Sequence, residues 1–87
     1  MLTDQKQSLV GKMFRACING YGLFSAPDAF ADGCLRKQLR KGDCFFVLED
    51  DCSQLRVLAK DGKVYWFLFP TEKQLLDTLR HYFTLCP

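Results

Sequence analysis

One histidine, His81, is the only imidazole in these 87 residues, and no Cys-x-x-Cys pair occurs anywhere. Structural zinc sites favour that knuckle, so no metal site is read from the chain. Catalytic constellations are missing too. His81 has no serine or carboxylate at a convincing spacing. Cys86 stands five residues beyond it, at a chain end expected to fray, which is a poor setting for a Cys–His nucleophile pair. No phosphate-gripping loop is present, because Asn19-Gly20-Tyr21-Gly22 lacks the Lys-Ser/Thr ending. The longest apolar stretch, Val64 to Phe69, is far too short to cross a bilayer. Met1-Leu2 leads into Thr3-Asp4-Gln5-Lys6-Gln7 without the charged start and apolar run of a secretion signal. Repeats and low-complexity tracts are also lacking. These absences argue against a self-contained enzyme, a cofactor and a membrane protein, and they set the expectation of a cytoplasmic domain.

Net charge is scarce as well. A formal +2 is too weak to argue for nucleic acid or an acidic membrane surface. Aromatic residues, in contrast, are plentiful, with eight Phe, three Tyr and one Trp in a chain long enough for one core. Large rings bury much area per ordered residue, which helps so small a core. Five cysteines (Cys17, Cys34, Cys44, Cys52 and Cys86) are an odd number without a secretion signal, so reduced thiols are expected. Cys44 reads as a small buried hydrophobe.

The first half is the harder to read. Leu2 to Val10 suits a short helix capped by Thr3, and Met13 to Ile18 reads as a first strand. Asn19 to Gly22 is dense in turn residues, Leu23-Phe24-Ser25 suits a short return strand, and Ala26 to Gly33 reads as a long loop with one helical turn near Asp28 to Phe30. After a basic loop, Cys44 to Leu48 is a continuous apolar strand, and Glu49 to Ser53 reads as a polar turn.

The clearest local feature is a hairpin. Gln54 to Ala59 and Val64 to Phe69 flank Lys60-Asp61-Gly62-Lys63, and Asp-Gly suits a two-residue type I′ turn. That loop would set Val57 opposite Trp66 and Arg56 opposite Phe67. Leu55, Val57, Ala59, Val64, Trp66 and Leu68 would then form a charge-free core face. Arg56, Leu58, Lys60, Lys63, Tyr65 and Phe67 would share the opposite face. The chain closes with a helix over 71–85, capped by Thr71 with Gln74 three residues on, and Leu75, Leu76, Leu79, Tyr82 and Phe83 form its apolar stripe.

The expected fold is mainly β: one domain over 1–87, with a small antiparallel barrel or strongly bent sheet over 13–69 and the C-terminal helix. From Met13 to about Phe69 the chain resembles SH3-like barrels, particularly the bacterial type. Leu39-Arg40-Lys41-Gly42-Asp43 before Phe45-Phe46-Val47-Leu48 carries part of the likeness. Leu55-Arg56-Val57-Leu58, leading through Asp61-Gly62 into Val64-Tyr65-Trp66-Phe67, matches a distal hairpin. The Ala-Leu-Tyr-Asp-Tyr opening of proline-binding SH3 domains is absent, Trp66 has no second Trp after it, and no Pro-x-x-Tyr closes the barrel. The resemblance therefore implies a fold and no proline-peptide recognition.

Two surfaces are candidates for function. Tyr21, Phe24, Phe30, Arg56, Tyr65 and Phe67 would form an aromatic groove for a protein partner, since rings give large contact area at low rotamer cost. Arg36, Lys37, Arg40, Lys41, Lys60 and Lys63 would serve a small nucleic-acid-binding regulator through phosphate contacts. A third reading is an enzyme whose site forms only at a subunit interface. A homodimer through the outer face of the hairpin or the final helix is expected, because a barrel this small has limited means of covering both apolar sets.

Overall fold

Alternating buried and exposed side chains set the strands of a single antiparallel sheet. The structure is a computed structural model and describes residues 8–30 and 32–86. Its elements are β1 (Met13–Ala16), β2 (Gly22–Phe24), β3 (Arg36–Gln38), β4 (Cys44–Asp51), β5 (Gln54–Ala59), β6 (Val64–Leu68), α1 (Glu72–Tyr82) and β7 (Phe83–Leu85). The strands lie in the order β3-β2-β6-β5-β4-β1-β7 and curl into a half-barrel, so the expected mainly-β class with a C-terminal helix holds. The helix expected over Leu2 to Val10 falls mostly outside the described residues, and residues 8–10 are not helical.

The inner face of the sheet and α1 enclose the core. Phe45, Phe67 and Phe83 meet pairwise at 5.6 Å with near-perpendicular rings. Such edge-on pairs add about 0.5–1.5 kcal/mol each beyond the area they bury. Around them lie Phe14, Leu23, Val47, Leu55 and Val57, with Leu75 and Leu79 from the helix. Thr71 starts α1 by accepting the Gln74 N–H at 3.2 Å, which satisfies one of the free donors of the first turn.

Five expectations need correction. The hairpin does not close with two residues. Ala59 N–H donates to the Lys63 carbonyl at 2.9 Å and Gly62 N–H donates to the Ala59 carbonyl at 3.0 Å, giving the three-residue loop Lys60-Asp61-Gly62. Gly62 takes φ 84° while Asp61 stays out of the left-handed region, the arrangement of a type I turn followed by a glycine bulge. The Asp61 carboxylate accepts the Lys63 N–H at 2.9 Å, an Asx turn that favours this geometry. Leu55 therefore stands opposite Phe67, Arg56 opposite Trp66 and Leu58 opposite Val64. A slip of one residue turns every side chain of β6 over. Phe67 goes to the core at 1% exposure, and Val64, Trp66 and Leu68 go outside.

The remaining corrections concern where elements end. The helix expected over 71–85 stops at Tyr82. Phe83 is extended at φ −130°, its N–H caps the Leu79 carbonyl, and the chain leaves as β7 beside β1. That exit delivers the Phe83 ring to the core. Strand β4 continues through the acidic residues to Asp51, with a bulge between Val47 and Glu49, so the turn is confined to Cys52-Ser53. The basic loop contains an edge strand, β3, and the helical turn near Asp28 to Phe30 is instead a bend in which Asp28 Oδ1 accepts the Phe30 N–H at 2.9 Å.

Candidate functional site

The slipped register lays two ordered rows across the outer face. Met13, Phe46, Leu58 and Val64 are consecutive cross-strand partners on β1, β4, β5 and β6. Met13 is 42% exposed, Leu58 37% and Val64 39%, while Phe46 is half-buried. The second row runs Glu49, Arg56, Trp66, Phe24, Arg36 from β4 to β3. Arg56 lies 3.1 Å from Glu49 Oε2 and 5.9 Å from the centre of the Trp66 ring. Arg36 lies 5.8 Å from the Phe24 ring. Cation–ring contacts of this kind add about 0.5–1 kcal/mol at exposed sites and hold the guanidinium in place. Gly22 contributes by what it lacks, because a Cβ there would run into the Arg36 guanidinium.

The aromatic groove expected from the sequence does not assemble. Only Phe24 and Arg56 lie on this face. Phe67 is in the core, and Tyr21 packs at the core edge, 6.2 Å from Phe67 and 5.7 Å from both Tyr82 and Phe83. Tyr65 also points inward, at the rim, with its hydroxyl donating to Asp61 at 2.8 Å. Phe30 is 95% exposed on the early loop, apart from the others. Sequence reasoning missed Met13, Phe46, Val64 and Trp66 as face residues. The signal that could have found them is Gly62 itself, which suits the left-handed bulge of a three-residue loop as well as a type I′ turn.

The basic residues are dispersed and partly neutralised. Lys37 lies 3.6 Å from Asp61, and Lys60 lies 3.8 Å from Asp43. Arg40 and Lys41 sit in the turn before β4, where Asp43 and Asn19 accept their backbone N–H groups at 3.0 and 2.8 Å. Arg36, Lys37 and Lys63 line one cleft. Asp61 titrates below the usual carboxylate range because its carboxylate accepts the Lys63 N–H and then the Tyr65 hydroxyl, with Lys37 beside it. The same hydrogen bond holds the Tyr65 hydroxyl above its ordinary value.

None of the five cysteines is in a disulfide. Burial, and then the neighbouring Cys86 thiol, push the Cys44 thiol up. Among the described residues no group of three His, Cys, Asp or Glu could hold a metal ion, and no helix is long and apolar enough to cross a membrane. Comparison with protein-family models, curated proteins and solved structures finds no match to the chain.

Proposed function

We propose that the domain is a non-catalytic module that binds another protein through the outer face of its sheet. The observation that carries this reading is the apolar row Met13–Phe46–Leu58–Val64, exposed beside a Trp66 and Arg56 already stacked together. Trp and Arg are the residue types that dominate binding energy at protein interfaces, and neighbouring apolar side chains exclude water around them. Of the stripe expected on the helix, Leu75, Leu79 and Phe83 are buried in the domain's own core, which leaves Tyr82 as its exposed member. A second copy suits the face less well than another protein, because Arg15 and Arg36 lie on it and a symmetric pairing gathers like charges. The nucleic-acid reading has weaker support, with Lys37 and Lys60 each beside an aspartate. An SH3-like relationship draws support from the distal β5–β6 hairpin and the early excursion that returns as β2 and β3. Five free thiols suit a reducing, cytoplasmic setting.

The test is selection of a combinatorial peptide display library on the full chain, with Leu58→Asp as the control. Leu58 is partly exposed, so the variant should fold, with an unchanged circular-dichroism spectrum, and lose the selected ligands. Ligands that bind Leu58→Asp as well as the parent chain would remove the outer face from consideration. Sedimentation at several concentrations checks the dimer in parallel.

A further inference from the structure

At one end of the outer face a cleft of ≈ 340 Å³ opens between Ser25 and Arg36 on one side and Lys63 to Tyr65 on the other. It lies where β2 parts from β6 after their one paired position, Phe24 opposite Trp66. Val64 lines the cleft and is also the last member of the apolar row, so the two form one continuous surface.

The cleft carries more positive than negative charge. Arg36, Lys37 and Lys63 line it. Among the described residues no carboxylate lies within ion-pair distance of Arg36 or Lys63, and Lys37 alone reaches one, Asp61 at 3.6 Å. Asp61 is already engaged by the Lys63 N–H and the Tyr65 hydroxyl at 2.9 and 2.8 Å. The Arg36 guanidinium is held between the bare Cα of Gly22 and the Phe24 ring. A side chain fixed in this way loses little freedom when it takes up a ligand, and a guanidinium fork fits a carboxylate through two parallel hydrogen bonds. Beyond the other end of the apolar row, Arg15 on β1 is exposed and equally without a carboxylate among the described residues. On the acidic side, Glu49 in the second row is taken up by Arg56 at 3.1 Å, and Asp51 lies a further row away from the apolar band, at the β4–β5 turn. An apolar band thus lies between unpaired cations.

We infer that the partner is an acidic amphipathic polypeptide segment. It sets apolar side chains on Met13, Phe46, Leu58 and Val64 and a carboxylate against Arg36 and Lys63 in the cleft. The inference rests on the outer face being the docking surface. Nucleic acid fits less well: its phosphates need an unbroken cationic track, and aliphatic Met, Leu and Val offer bases no stacking platform.

The experiment extends the peptide selection. Trp66, the single tryptophan, lies on the face and reports binding of each synthesised peptide through its emission. Enriched peptides should combine apolar residues with Asp or Glu. Arg36→Glu and Lys63→Glu, both at exposed positions, should each weaken binding at least tenfold with the circular-dichroism spectrum unchanged, and Arg80→Glu on α1, away from the outer face, should leave it alone. Arg36→Gln, which keeps a polar side chain, should give an intermediate loss. Binding that fails in Leu58→Asp yet shows no acidic preference and survives Arg36→Glu keeps the docking face and overturns the acidic partner. No enrichment at all, or ligands indifferent to Leu58→Asp, overturns the docking face and the inference with it. Tighter binding of a labelled single-stranded oligonucleotide than of any peptide also overturns it.

Discussion

Arg56 and Trp66 stand directly opposite one another on β5 and β6, the guanidinium 5.9 Å from the ring centre. The same register puts Leu55 opposite Phe67 on the inner side. One turn geometry therefore decides both which ring completes the core and which is offered to solvent. A loop shorter by one residue would bury Trp66, expose Phe67 and dismantle the triad of Phe45, Phe67 and Phe83.

The two rings accordingly differ in what their removal does. Phe67→Ala should cost about 3–5 kcal/mol, the range for deleting a buried ring, which approaches the whole stability of a small domain. Trp66→Ala should cost about 1.5 kcal/mol or less, since Trp66 is half-buried on the outer face. Phe67→Glu and Val57→Asp should both fail to fold, and Lys60→Asp at the exposed loop should not. Urea melts rank the variants, and a Trp66→Ala loss larger than that of Phe67→Ala would restore the shorter loop.

How much of this was legible depends on which residues decide each feature. The start of the helix was open to reading because Pro70 and Thr71 act locally, one ending the strand and the other capping the first turn. The hairpin's existence was equally plain from Asp61-Gly62. Its register was not, because Gly62 serves either a type I′ turn or a type I turn with a bulge, and the burial of Phe67 chooses between them. The helix end was hidden for a similar reason. Helical spacing continues through Phe83, yet Phe83 leaves the helix to reach Phe45 and Phe67 and to let β7 pair with β1. The outer-face rows join residues from six strands, so they exist only once long-range pairing is known. The cations that flank the apolar row, Arg15 and Arg36, are far apart in the chain.

The β5–β6 turn should be acid-sensitive through Asp61. Its carboxylate is held below its ordinary value by the Lys63 N–H first and then by the Tyr65 hydroxyl. A group depressed in the folded state contributes stability above its unfolded value, near 3.9, and loses it as pH falls through the folded one. Asp61→Asn removes that contribution. The gap in melting temperature between the parent chain and Asp61→Asn should be widest near neutrality and shrink on acidification. A gap that stays constant down to pH 2 would dismiss Asp61 as a source of acid sensitivity.

Among the described residues Cys52 is the one non-glycine residue with positive φ, at 53°, in the turn between β4 and β5. Left-handed backbone costs an L-residue with a Cβ about 1–2 kcal/mol, and glycine avoids most of that cost. Cys52→Gly should therefore stabilise the domain by up to about 1 kcal/mol, the greater flexibility of the unfolded chain offsetting the rest. Cys52→Val, branched at Cβ, should destabilise by a similar amount. A Cys52→Gly variant that melts below the parent chain would show that the side chain, and not the backbone, matters at this position.

The five thiols should separate by reactivity in the folded protein. Alkylation under denaturing, non-reducing conditions should label all five, since none is in a disulfide. In the native state the attacking species is the thiolate, so rate follows exposure and acidity. Cys17 and Cys52 are exposed, Cys34 and Cys86 intermediate. Cys44 is intermediate too, but burial and then the adjacent Cys86 thiol hold it in the neutral form. Timed labelling near pH 8, read by peptide mass, should find Cys52 among the first modified and Cys44 the last. Cys86→Ser removes one of the groups that raise Cys44, so Cys44 should then label faster while Cys52 keeps its rate. Equal acceleration at both positions would point instead to general loosening of the fold, and no acceleration at either would separate Cys44 from Cys86.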